Sequence, residues 1–137
     1  MNNILVTICG VQNGDSGEAI KLVVPGRFSR EQDAVCITYD ETEETGMEGT
    51  VTTVAVQEGK IRLIRRGTSN SELILEVGKR HESRYETPYG AMMIGITAKE
   101  THAAVCESEG VIRATYLIDI ENNPSGENVF ELSYRAV

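Results

Sequence analysis

Short runs in which apolar and polar residues alternate fill almost all of this sequence, and a glycine-containing turn interrupts them about every ten residues. A side-chain period of two places alternate residues on opposite faces of an extended chain, so each run reads as a strand with one buried face. No window sustains a 3.6-residue period over three turns, which argues against helices. The runs fall at residues 4–11, 19–24, 34–39, 50–57, 60–66, 71–77, 80–86, 91–99, 112–121 and 130–134. Turn-forming residues separate them at Gly14-Asp15-Ser16-Gly17, Pro25-Gly26, Glu58-Gly59, Gly78, Thr87-Pro88-Tyr89-Gly90 and Asn123-Pro124-Ser125-Gly126. Residues 28–34 read as a short helical turn.

Nine or ten strands joined mostly by hairpins predict an all-β chain with one apolar and one polar face. A meander of this length has to protect its edge strands, and closure into a single antiparallel barrel does so most completely. A two-sheet β-sandwich is the alternative. The sequence has no repeat, linker or low-complexity tract, so residues 1–137 read as one domain.

Composition narrows the function classes. Apolar residues make up 40% of the chain, with five Tyr, two Phe and no Trp, so the core is expected to be aliphatic. Thirteen Lys and Arg against 21 Asp and Glu give a net charge of −8. That field opposes nucleic acids and anionic membranes. The amino terminus shows neither the basic nor the apolar segment of a signal peptide. Cys9, Cys36 and Cys106 are odd in number and widely spaced, which fits a reducing cytoplasm better than a disulfide framework.

Several blocks stand in a recognisable order: Tyr39-Asp40-Glu41, Gly46-Met47-Glu48-Gly49-Thr50, Thr52-Thr53, Arg65-Arg66-Gly67 and Thr87-Pro88-Tyr89-Gly90. With the strand around Tyr116 and the Gly126-Glu127-Asn128 segment, they resemble the bacterial YwiB-like family, a domain of unknown function. The resemblance extends over nearly the whole chain. It implies a closed antiparallel barrel similar to the calycins, the group that includes lipocalins and fatty-acid-binding proteins. It implies no reaction, cofactor or substrate, since fold alone does not specify function.

Arg65 is the most informative polar residue. In the run Ile61-Arg62-Leu63-Ile64-Arg65 it shares parity with Ile61 and Leu63, so it points inward. Unless it sits at the barrel rim, a guanidinium on an apolar face needs a carboxylate, either Glu41 or Glu43 of this chain or the acid head of a small apolar ligand. Tyr39 and Glu41 belong to the same candidate site. His81, Ser83 and Tyr85 share one face of a strand whose other face carries Arg80, Glu82 and Arg84. That strand either lines a wet cavity, adding His81 and Tyr85 to the site, or lies exposed near the end of the sheet.

Other constellations are weaker. The acidic loop of Asp40, Glu41, Glu43, Glu44 and Glu48 lacks the alternating ligand pattern of a calcium loop and reads as solvated. His102 and Cys106 are four residues apart, about 13 Å on a strand, too far for a nucleophile pair. No two ligands have zinc spacing. Lys60, Arg62, Arg66, Lys79, Arg80 and Arg84 read as outer-face charges offset by acidic neighbours, with no interleaved aromatics to stack on bases. The sequence therefore predicts a non-catalytic barrel without a cofactor, binding a small apolar or acidic molecule through Arg65, Tyr39, Glu41, His81 and Tyr85. The alternative is a ligand-free interaction module or homodimer.

Overall fold

A computed structural model of the chain describes residues 2–12, 20–43, 48–68, 70–87 and 90–137. The strands are β1 (Asn2–Gln12), β2 (Ile20–Arg30), β3 (Val35–Asp40), β4 (Thr50–Gln57) and β5 (Lys60–Gly67). They continue as β6 (Ser71–Leu75), β7 (Arg80–Thr87), β8 (Gly90–Val105), β9 (Glu109–Ile120) and β10 (Asn123–Ala136). All ten join one antiparallel sheet in the order β6-β5-β4-β3-β2-β1-β10-β9-β8-β7. The two outer strands of that order, β6 and β7, are consecutive in the chain. They meet across a seam bridged at Glu76–Lys79 and Val77–Ala98. The result is a nearly closed barrel, and a single continuous ladder excludes the two-sheet sandwich.

The period-two pattern sorts residues between inside and outside. Along β9, Ile112, Ala114 and Tyr116 are buried while Val111, Arg113 and Leu117 are exposed. The core is aliphatic as composition requires: Ile4, Val6, Ile37, Val54, Leu63, Leu75, Ile96, Ile112 and Leu132 are all almost completely buried. Phe28 and Tyr134 add an aromatic contact with ring centroids 5.9 Å apart. The Tyr134 ring also lies over Gly110, where a Cβ would come within 2.5 Å of it.

Four local expectations are corrected. Pro25-Gly26 does not close β2 but lies within it. β3 pairs with β2 only from Gly26 onward, so on that side Pro25 has no ladder partner to disappoint. Gly26 instead permits close packing, since a Cβ there would sit 2.7 Å from Val6 Cγ2 and 2.8 Å from the Thr38 carbonyl.

Residues 28–34 are not helical. Phe28–Arg30 complete β2, and reciprocal backbone hydrogen bonds of 2.8 and 3.5 Å between Glu31 and Ala34 close a hairpin. β8 runs on to Val105 through a bulge between Ala98 and Glu100, which resets its parity. The β9–β10 turn is formed by Glu121 and Asn122, whose φ of 51° and 68° suit a two-residue hairpin. Asn123-Pro124-Ser125-Gly126 is therefore already strand, with an irregularity between Pro124 and Gly126. The Gly14–Gly17 turn, Glu44, Gly46-Met47 and Pro88-Tyr89 lie outside the described residues.

Candidate ligand-binding site

The two-residue turn at Glu58-Gly59 sets the register of the β4–β5 hairpin, pairing Gln57 with Lys60 and hence Thr52 with Arg65. Adjacent ladders pair Tyr39 with Thr52 and Arg65 with Ser71. Tyr39, Thr52, Arg65 and Ser71 therefore form a polar row across four neighbouring strands, continuous with Gly26 and Ile4 in the apolar wall. Arg65 follows the inward parity of the buried Ile61 and Leu63, as expected. The row lies just inside the end of the barrel that carries the β3–β4 connection.

Glu41 completes the group. Its amide donates to the Thr50 carbonyl at 2.8 Å, holding the chain end of β3 against β4. The Glu41 side chain is only 2% exposed and stands 3.9 Å from Arg65 Nε. The Thr52 hydroxyl donates to Glu41 Oε2. Of the two carboxylates of equal parity, Glu41 is the buried partner of Arg65, while Glu43 is exposed.

The electrostatics are those of a buried polar cluster. Burial, followed by the nearby negative charge of Glu41, pushes the Tyr39 phenol well above its ordinary range. Burial also raises the Tyr116 phenol, with hydrogen bonding to Asn128 and the charge of Arg65 acting in the opposite direction. Arg65 is thus within electrostatic reach of phenols on two well-separated strands, β3 and β9.

Two hydrogen-bonding atoms in this row are buried without a hydrogen-bond partner, Arg65 Nε and Ser71 Oγ. The 3.9 Å separation from Glu41 satisfies an ion pair but exceeds hydrogen-bond reach. Ser71 as a residue is only 6% exposed. Such buried orphans are rare in folded proteins and call for a specific explanation.

His81 and Tyr85 belong to another strand, β7. They sit on β7 opposite Ile96 and Met92, half-buried on the inward side with Ser83. His81 Nε2 lies 2.9 Å from Glu76 Oε1, across the connection from β6 to β7. The structure thus brings Arg65, Tyr39 and Glu41 together and assigns His81 to a contact at the seam. Thr52 and Ser71 were not singled out from sequence, although the register implied by the Glu58-Gly59 turn already places Thr52 beside Arg65.

The remaining clusters are structural in geometry. Arg62 pairs with Glu72 at 2.6 Å, and Arg80 with Asp119 at 2.6 Å and Glu82 at 3.0 Å, all across the outer surface. His102 lies on β8, whereas Cys106 follows it in the turn, where its sulfur donates to the Glu109 carbonyl at 3.1 Å. Among the described residues no three His, Cys, Asp or Glu side chains gather to hold a metal ion. A groove of about 710 Å³ lies on the outer face between β1, β8, β9 and β10, lined in part by Leu5, Ala104, Val111 and Arg135.

The sequence matches the family described as a domain of unknown function, DUF1934, over residues 6–132. The chain belongs to this family. The crystal structure of the ywiB protein from Bacillus subtilis superposes with a TM-score of 0.84 at 20% identity, covering 99% of this chain and 92% of that one. At such identity the likeness establishes a common fold. It agrees with the YwiB-like resemblance carried by the blocks from Tyr39 to Gly90. No protein of curated function matches the chain.

Proposed function

We propose that this barrel is a non-catalytic binding protein for a small, partly apolar molecule, whose polar end is held at Arg65 and Ser71. The observation that carries this reading is the pair of buried, unsatisfied groups on adjacent inward positions. A buried polar group without a partner costs about 1–3 kcal/mol, a cost that a ligand supplying the missing partner would remove. Leu63 and Leu75 on the same two strands belong to the apolar core and Leu73 packs against it, so the rest of the molecule would enter apolar surroundings. The calycin resemblance supports the reading by analogy. The free Cys9, Cys36 and Cys106 support a reducing, cytoplasmic setting.

Ser71→Ala tests the site without disturbing the ion pair. Removing an unsatisfied buried hydroxyl should leave the ligand-free protein as stable or stabilise it by up to about 1 kcal/mol in urea unfolding. The same change should abolish co-purification of a small molecule, read by native mass spectrometry of protein from its own host. Destabilisation together with undiminished co-purification would refute the assignment. A second reading, a homodimeric barrel, is favoured by the outer groove and by exposed Val23 and Val111 on the same face. The same spectra test it, since they would show a dimer carrying no added mass.

A further inference from the structure

The geometry points to a neutral carbonyl, the head of an amide, ketone or ester, as the ligand group recognised by Arg65 and Ser71. This inference rests on the binding function proposed above and replaces the acid head that Arg65 alone suggests. Arg65 already has a carboxylate partner in Glu41, so among the described residues its positive charge faces one buried negative charge. Glu41 is committed further by the Thr52 hydroxyl donated to it. A ligand carboxylate would place two negative charges beside one guanidinium, in a position where the Glu41 side chain is almost wholly removed from water. Like charges and desolvation both oppose that arrangement.

The unsatisfied atoms instead match a neutral acceptor. Arg65 Nε carries one N–H, and the Ser71 hydroxyl has one O–H to donate. The two residues are direct register partners on β5 and β6, yet they do not hydrogen-bond to each other. A carbonyl oxygen has two lone pairs and accepts two donors without adding charge. It can therefore satisfy both atoms while the Arg65–Glu41 pair remains intact. An acid is admitted only in its protonated, uncharged form.

Chain-matched octanamide and octanoate distinguish these cases when titrated into the isotope-labelled protein, with β5 and β6 amide resonances as the readout. Octanamide should bind at least about tenfold more tightly at neutral pH, with an affinity flat between about pH 6 and about pH 8. Octanoate affinity should fall roughly 100-fold over that interval, because its protonated fraction falls about tenfold per unit above the carboxyl pKa. Ser71→Ala should weaken octanamide binding. If octanoate binds as tightly as octanamide at neutral pH, the carbonyl assignment is wrong while the binding function stands. If octanamide binds Ser71→Ala unchanged, the carbonyl is not held where we place it. If neither compound shifts the β5 and β6 resonances, the binding function and the carbonyl assignment fail together.

Discussion

Arg65 and Glu41 face each other at ion-pair distance with little access to water, so neither is easily removed alone. Arg65→Met leaves a buried carboxylate without its counter-charge, and the expected loss of folding stability is about 3–5 kcal/mol. The double variant Arg65→Met with Glu41→Gln has no uncompensated charge and should recover most of that loss. Urea unfolding of the two single variants and the double variant closes the cycle, and strict additivity would show that the two side chains do not interact. Arg65's inward direction was legible in the sequence because it shares parity with Ile61 and Leu63. Its partner was not, because Glu41 and Glu43 have the same parity and only the turn into β4 determines which one is buried. His81 was legible only as part of a strand face that either lines the interior or lies exposed, and its contact with Glu76 depends on how the chain crosses the seam.

Among the elements, β2 shows most clearly how neighbours override local signals. Pro25-Gly26 has the composition of a turn, yet the strand continues because β1 pairs with it without a break from Ile20 to Phe28 while β3 joins only from Gly26. Gly26→Ala would force a methyl against Val6 and the Thr38 carbonyl, of which the carbonyl belongs to the backbone and yields least. Overpacking of this kind costs about 1–3 kcal/mol, so the variant should melt several degrees lower in calorimetry. An unchanged melting temperature would show that the β1–β2–β3 junction has room to spare. The β4–β5 hairpin was legible in register and to within one residue of its end, Gly67 in place of Arg66, since a two-residue turn fixes how the strands pair. β8 was read too short because the bulge at Ala98/Glu100 breaks its alternation, and the polar stretch beyond it no longer looks like the same strand. The β9–β10 turn was read too late because Asn123-Pro124-Ser125-Gly126 has turn chemistry, while the positive dihedrals belong to Glu121 and Asn122.

At the scale of the whole molecule, the interior is closed tightly enough to hold three tyrosines against ionisation. Burial raises Tyr39, Tyr116 and Tyr134, with Tyr134 pushed up to about 12. The Tyr134 hydroxyl also donates to the Cys106 carbonyl at 2.7 Å. A raised phenol keeps its proton longer in the folded protein than in the unfolded chain. The corresponding stability is complete below the unfolded value of about 10 and declines as pH rises above it, with the Tyr134 share gone beyond about 12. Urea unfolding at successive alkaline pH values should show that decline, accompanied by late tyrosinate absorbance. A flat profile would mean the phenols are already solvated.

β1 and β10 lie side by side, with Ile4 opposite Ala136 and the Val137 amide 3.3 Å from the Asn3 carbonyl. The order of strands around the cylinder therefore does not depend on where the polypeptide is cut. Joining those neighbouring ends through a few flexible residues and opening the chain at Gly78 would preserve every ladder and sever only the lightly bridged connection between β6 and β7. Such a circular permutant should adopt the same barrel.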